Sequence, residues 1–282
     1  MTATKRGPLM AQEPRIPGQV ETIYGSWDLS SVPAFTGGFI NFGYWRDVPQ
    51  DRPLTEDDRL RTEQELYRLV LGEFGRTDGL RAVEVGCGLG LGCALALREF
   101  GFGEVCGLDL HPAQLDRARI VNADLLAEHP ERLRYVRGAA DAMPLPDGSA
   151  DCLYSVNAAQ HFPDLPEFAH EADRVLSPGG RLALTTFFAP GACGVQELPR
   201  LLPTYADGLD LPHVIGDFTE ALTRSGFTGV RSVSIGEDVW AAYDRWLART
   251  PLRDMWPRRF LEAYEKGYLD YYVVTADAAR VR

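Results

Sequence analysis

Leu80-Arg81-Ala82-Val83-Glu84-Val85-Gly86-Cys87-Gly88-Leu89-Gly90 decides the fold. Leu80 to Val85 reads as a buried strand, the three alternating glycines as a tight turn, and Gly90 to Phe100 as the helix that follows. Glycine lets such a turn close tightly and approach a ligand, and it leaves backbone amides at the helix amino terminus free to bind polar atoms. A plain strand-to-helix turn is the simpler alternative. A dinucleotide fingerprint, G-x-G-x-x-G, is the rival functional reading, but Leu91 stands where its third glycine belongs.

The same alternation extends downstream. Strands are expected at Glu104–Leu110, Leu133–Arg137, Cys152–Val156 and Arg181–Phe188, with helices at Pro112–Glu128 and Pro166–Leu176. Strands separated by helices of this length need crossover connections, which gives an α/β, doubly wound, mostly parallel sheet covered on both faces. Ligands in such folds lie beyond the carboxyl ends of the strands. After Phe188 the pattern predicts a loop-rich insertion to about Pro212 and a helix at Asp217–Ser225. A strand follows at Val230–Ile235, then helices at Val239–Ala248 and Pro257–Lys266, and a last strand at Tyr268–Thr275. The closing strands make a seven-stranded sheet with an antiparallel edge hairpin.

Upstream, residues 1–20 are rich in proline, glycine and charge and read as a mobile arm. Residues 21–75 read as an amino-terminal helical cap. It opens with aromatic residues (Tyr24, Trp27, Phe35, Phe39, Phe42, Tyr44, Trp45) and ends in a helix from about Thr55 to Phe74, whose start carries a cap and an acidic first turn. Residues 76–282 then form the core domain, with lid insertions near 189–212 and 238–267.

Composition narrows the function. The 282 residues are 45% hydrophobic and 24% charged, which suits a globular chain with a substantial core. A formal net charge of −11 and no Lys/Arg cluster longer than Arg258-Arg259 argue against nucleic acid as a partner. No segment stays apolar long enough to span a bilayer, and the start lacks a secretory apolar run, so a cytoplasmic protein is expected. Five cysteines without C-x-x-C spacing read as reduced, mostly buried thiols. Self-association into a homo-oligomer is left open.

Asp109 ends the second strand, where an acidic residue can accept hydrogen bonds from both hydroxyls of a ribose, or cap the next helix. The fourth strand ends in Asn157-Ala158-Ala159-Gln160-His161-Phe162, which puts polar groups at the ligand-binding edge. Histidine there suits acid/base work near neutral pH, and structural or substrate-positioning roles stay open beside it. His111, His129, His170 and His213 carry less promise, no histidine pair has metal-ligand spacing, and no metal is expected.

Taken together these segments resemble the class I S-adenosylmethionine-dependent methyltransferases, in the small-molecule branch that includes tocopherol, sugar and natural-product enzymes. Glu84 to Gly90 resembles the first motif, so Glu84, Gly86, Gly88 and Gly90 are implied to contact the cofactor. Gly107-Leu108-Asp109 resembles the second. Leu110-His111-Pro112-Ala113-Gln114 is similar to the turn that follows, which implies ribose-side roles for Leu110 and Gln114. Gly138 to Asp147 is similar to the third motif, so Asp141 and Ala142 are implied to hold the adenine. Asn41-Phe42-Gly43-Tyr44-Trp45 is similar to an N-x-G-Y-W element lying over the methionine portion of the cofactor, which implies a cofactor contact for Tyr44. For both Tyr44 and Trp45 a core-aromatic reading is the alternative.

Asn157 then belongs beside the expected sulfonium, and His161 is the candidate base. Tyr24, Trp45 and Phe162 are candidates for contact with the acceptor. The fifth strand ends in Thr-Thr-Phe-Phe, where cation-dependent catechol-type relatives carry Asp-Asn, and this too argues against a metal. The resemblance implies methyl transfer from S-adenosylmethionine, with S-adenosylhomocysteine as product, to oxygen, nitrogen or activated carbon of a small molecule such as a secondary metabolite. A non-methylating cyclase-like relative, a catalytically silent cofactor-binding partner protein and a nicotinamide dehydrogenase are the alternatives.

Overall fold

The computed structural model describes residues 15–26, 29, 32–49 and 51–279. Residues 1–14, which carry most of the expected arm, and Trp27 lie outside the described residues. The chain runs α1 (Gly18–Val20), a wide π-helical turn at Glu21–Ser26, α2 (Glu56–Gly72), β1 (Arg81–Val85), α3 (Leu91–Glu99), β2 (Glu104–Asp109), α4 (Pro112–Val121) and α5 (Ala123–Glu128). It continues through β3 (Leu133–Arg137), β4 (Ala150–Val156), α6 (Leu165–Val175), β5 (Leu176–Phe188), α7 (Ala192–Leu201), α8 (Pro203–Ala206) and α9 (Ile215–Arg224). The last elements are β6 (Thr228–Ser234), α10 (Trp240–Leu247), α11 (Arg259–Glu265) and β7 (Asp270–Asp277).

Among the described residues, seven strands form one sheet in the order β3-β2-β1-β4-β5-β7-β6. The first five are parallel, and β7 pairs antiparallel with both β5 and β6. This is the doubly wound α/β sheet that the alternating pattern dictates. Side chains alternate across it: Val83, Val85, Leu153 and Leu184 face α6 and α9, whereas Ala82, Tyr154, Val156 and Phe187 face α2, α3 and the helices between β6 and β7. The strand order reverses between β1 and β4, and the crevice at their carboxyl ends is where a ligand belongs.

Local chemistry explains the start of α2. The Thr55 hydroxyl accepts from the Asp58 amide and the Asp58 carboxylate accepts from the Thr55 amide, a reciprocal cap. Arg52 grips the same carboxylate with two nitrogens at 2.6 and 2.7 Å. These donors hold the Asp58 carboxyl far below the usual range.

Three expectations change. The helix expected over 112–128 breaks at Asn122, whose side-chain amide donates to the carbonyls of Leu89 and Ala118 and so competes with the helical ladder. The expected loop over 189–212 is largely α7 and α8, with Leu198 and Tyr205 buried. β6 and β7 are neighbours but form no tight hairpin, because α10 and α11 lie between them.

Candidate active site

A cavity of about 390 Å³ opens at the carboxyl ends of β1, β2 and β4, a size typical of small-molecule sites. Gly86 and Gly88 form its floor with φ of 77° and 50°, the left-handed region in which glycine is unstrained. A Cβ on Gly86 would collide with the Cβ of Ala158 across the crevice. The close approach of these two loops therefore depends on glycine.

Asp109 ties two of these loops together. One carboxylate oxygen accepts from the Gly88 amide at 2.9 Å and the other from the His111 amide at 2.9 Å. Burial raises its carboxyl above the usual range against the pull of those amides. Each oxygen keeps lone-pair capacity for another donor, so Asp109 can bind a ligand's hydroxyls while holding the turn. The cap of α4 itself is His111, whose Nδ1 accepts from the Ala113 amide.

The wall beyond Asp109 is polar on one side. Gln114 donates its side-chain amide to the carbonyl of Tyr24, while its Oε1 is buried without a hydrogen-bond partner beside the cavity. Leu110, Asp141 and Ala142 complete this end. An orphaned acceptor, a partly open carboxylate and a glycine floor fit a ribose and an adenosyl group.

At the other end stands His161. Asn157, with φ of 54°, is the one non-glycine residue with a positive φ among the described residues. It turns the chain out of β4 into the short helical turn Ala159–His161. His161 Nδ1 lies 2.8 Å from the carbonyl oxygen of Leu209, which can only accept, so this network assigns the hydrogen to Nδ1 and leaves the lone pair on Nε2. Nε2 accepts from the Tyr24 hydroxyl at 2.8 Å and from the Gln160 amide at 3.1 Å. Tyr24 is held over the site by Gln114 and by Arg117, which donates to the carbonyls of Tyr24 and Gly25. Burial, together with Asp210 and Asp109, pushes the Tyr24 phenol far above its usual range, so it stays a neutral donor.

Of the residues singled out in the sequence, Tyr24, Gly86, Gly88, Asp109, Leu110, Gln114, Asp141, Ala142, Asn157, His161 and Phe162 line the cavity. Four do not. Trp45 is 1% exposed, donates its indole N–H to the Phe42 carbonyl and packs under the Arg59 guanidinium. Tyr44 is half-buried against the core, with Arg46 over its ring. The core-aromatic alternative holds for Trp45, because Phe42 beside it is ringed by Phe187, Trp240, Tyr243, Phe260 and Tyr271 at 4.9–6.2 Å, which draws the segment into the core.

Glu84 is fully buried under α3, where it accepts from Tyr67, Tyr154 and Cys93; burial raises its carboxyl to about 7 against those hydrogen bonds. Gly90 caps α3 in the left-handed conformation, and a side chain there would strike the Tyr135 ring. Glu84 and Gly90 thus shape the loop from beneath.

Phe39, Ile40, Leu91, Val20 and Arg15 line the cavity and were not picked out as site residues by the sequence reading. Phe39 belonged to the flagged aromatic stretch, and Leu91 followed the motif. Nothing in the local sequence marks Ile40 or Val20. Arg15, Pro17 and Val20, read as part of the arm, contribute to the wall. Among the described residues no cluster of three His, Cys, Asp or Glu side chains could hold a metal, and no helix is long and apolar enough to cross a membrane.

Residues 83–184 match the family model of the methyltransferase domain. The matched segment is a methyltransferase domain that runs from β1 into β5 and carries most of the loops lining the cavity. It is similar to a fatty-acid O-methyltransferase of Mycolicibacterium smegmatis, 33% identical over 52% of this chain and 52% of that protein. It is also similar to a probable chloroplastic tocopherol O-methyltransferase of Oryza sativa subsp. japonica, 24% identical over 92% of this chain and 78% of that one. Its fold matches a solved geranyl diphosphate C-methyltransferase of Streptomyces coelicolor A3(2) with a TM-score of 0.77 at 20% identity, covering 93% and 99% of the two chains. The chain spans about half the length of several of the curated relatives it matches.

Proposed function

We infer that this chain is an S-adenosylmethionine-dependent methyltransferase acting on a small, largely apolar acceptor, with His161 as the base where that acceptor has a proton to lose. The observation that carries this reading is the pairing, in one cavity, of an adenosyl-sized polar end with an imidazole whose Nε2 lone pair points into the opposite end. Gly86, Gly88, Asp109, Gln114, Asp141 and Ala142 would hold the cofactor. When bound it supplies an electrophilic methyl on a sulfonium, reactive by in-line displacement.

The protein's own contribution is placement, exclusion of water and proton transfer. Val20, Phe39, Ile40 and Phe162 give the cavity apolar surface for the acceptor, and Tyr24 roofs it. Holding the reactants in line accounts for about 7–11 kcal/mol of barrier lowering in favourable cases. An acceptor hydroxyl or acidic C–H would present its proton to His161 Nε2 in the place now taken by the Tyr24 hydroxyl, and Nδ1–H would stay on the Leu209 carbonyl. The relatives that act on a fatty acid and on tocopherol agree in the lipophilic character of their substrates, which supports an apolar acceptor here.

A non-methylating cyclase of the same fold is disfavoured, since its chemistry would need no base aimed at the methyl-bearing end. A metabolite-library assay that follows S-adenosylhomocysteine and product mass tests the proposal. A product heavier than its substrate by one methylene is expected. An isomerised product without S-adenosylhomocysteine would overturn it.

A further inference from the structure

We propose that Asp210, delivered by the insertion between β5 and α9, is the positioning residue for His161: its carboxylate meets the imidazole Nδ1 and completes a Tyr24–His161–Asp210 array across the acceptor end of the cavity. The inference rests on His161 being the base. Asp210 Oδ1 lies 3.3 Å from His161 Nδ1, at ion-pair distance beside the hydrogen bond from Nδ1 to the Leu209 carbonyl.

The segment that brings it is stitched to the turn that carries His161. The Leu211 amide donates to the Gln160 carbonyl at 2.9 Å, and the Asp210 amide donates to the Thr204 carbonyl at 2.8 Å. Gln160 is itself fixed, accepting from the Thr186 hydroxyl and donating to the Asn157 carbonyl. The distance from Asp210 to the imidazole is therefore set by main-chain bonds on both sides.

Charge completes the case. Asp210 is 5% exposed, and burial raises its carboxyl above the usual range, with His161 drawing it back. A buried carboxylate without a counter-charge is costly. The groups facing the imidazole are Tyr24, Asp210 and, farther off, Asp109. Tyr24 is a neutral donor, so the positive charge that forms when Nε2 takes a proton falls between carboxylates, with Asp210 the nearer.

In the step itself the acceptor atom uses its electron pair to form the new bond to carbon, the carbon–sulfur bond breaks toward sulfur, and the acceptor's proton moves to Nε2. Asp210 takes no proton. It keeps the imidazole in the Nδ1–H form and stabilises the cation.

Asp210→Asn keeps the shape and removes the charge. The test is 15N NMR of the histidine side chains in the full-length protein saturated with S-adenosylhomocysteine, with His161 assigned by its loss in His161→Gln. The wild-type neutral imidazole should show a protonated Nδ1, and its titration midpoint should move to lower pH by about one unit in Asp210→Asn, with the thermal midpoint and backbone amide spectrum retained. An unmoved midpoint in a folded Asp210→Asn protein overturns the role of Asp210 and leaves the base assignment standing. A moved midpoint combined with full turnover in His161→Ala would sink the base assignment, and the positioning role with it.

Discussion

Asn157 Oδ1 accepts a 2.8 Å hydrogen bond from the Tyr271 hydroxyl of β7, while Asn157 Nδ2 donates to the carbonyl of Ile40 at 3.1 Å. One side chain at the end of β4 thereby joins the amino-terminal segment and the antiparallel strand to the cavity. It does so from a left-handed backbone, which asparagine tolerates better than most residues.

Asn157→Ala should lower stability by about 2–4 kcal/mol, because it strips the buried Tyr271 hydroxyl of its acceptor and leaves a Cβ in a strained φ. Asn157→Gly loses the same bonds but not the φ, and should be less destabilised. Urea unfolding of both variants measures this. Equal losses would show that the backbone conformation carries no strain.

Asp109→Ala should weaken S-adenosylhomocysteine binding about 10–100-fold, the size expected for hydrogen bonds to a charged group. Because Asp109 also accepts from the Gly88 and His111 amides, a modest fall in melting temperature should accompany it. Isothermal titration against S-adenosylmethionine, S-adenosylhomocysteine and NAD checks both this and the choice of cofactor. Tight NAD binding without response to the adenosyl ligands would contradict the assignment.

His161→Ala is expected to reduce turnover by about 10²–10⁴-fold while cofactor affinity stays near wild type. The acid limb of the wild-type rate profile should vanish in the variant. A change confined to apparent acceptor affinity would instead mark His161 as a substrate-positioning group.

Glu84 gives a pH signature in the unliganded protein. Its carboxyl is raised from 4.5 to about 7, so its stabilising contribution is complete below about 4.5 and is lost as pH rises through about 7. The full loss is about 3 kcal/mol for this buried group. Unfolding free energies of wild type and Glu84→Gln, compared at pH 5 and pH 8, should therefore differ in the variant's favour at the higher pH. A difference that does not change with pH would mean that Glu84 titrates in its ordinary range.

The parts of the site that the sequence by itself determined are those that follow from local geometry and strand order. Gly86, Gly88, Asp109 and Asp141 sit at or just beyond the carboxyl ends of parallel strands, and in a doubly wound sheet those ends converge whatever packs around them. His161 was legible for the same reason, being only a few residues beyond β4. Tertiary structure alone decided which aromatic residues face the cavity. Phe39 lines it and Trp45 does not, because Trp45 is buried under the Arg59 guanidinium and its amide is bonded to the Asp238 carbonyl between β6 and β7, and no spacing within residues 35–45 encodes that packing.

Glu84 matched its motif, yet its partners come from α2, β4 and α3, so its burial depended on three separate elements closing over it. The pairing of His161 with Asp210 lies at the same limit. The two are 49 positions apart, one at a strand end and the other in an insertion without a recognisable pattern, and the contact exists because the Leu211 amide finds the Gln160 carbonyl. Periodicity and motifs report what neighbouring residues do to one backbone, whereas a contact between distant segments is set by how the whole chain satisfies its buried polar groups.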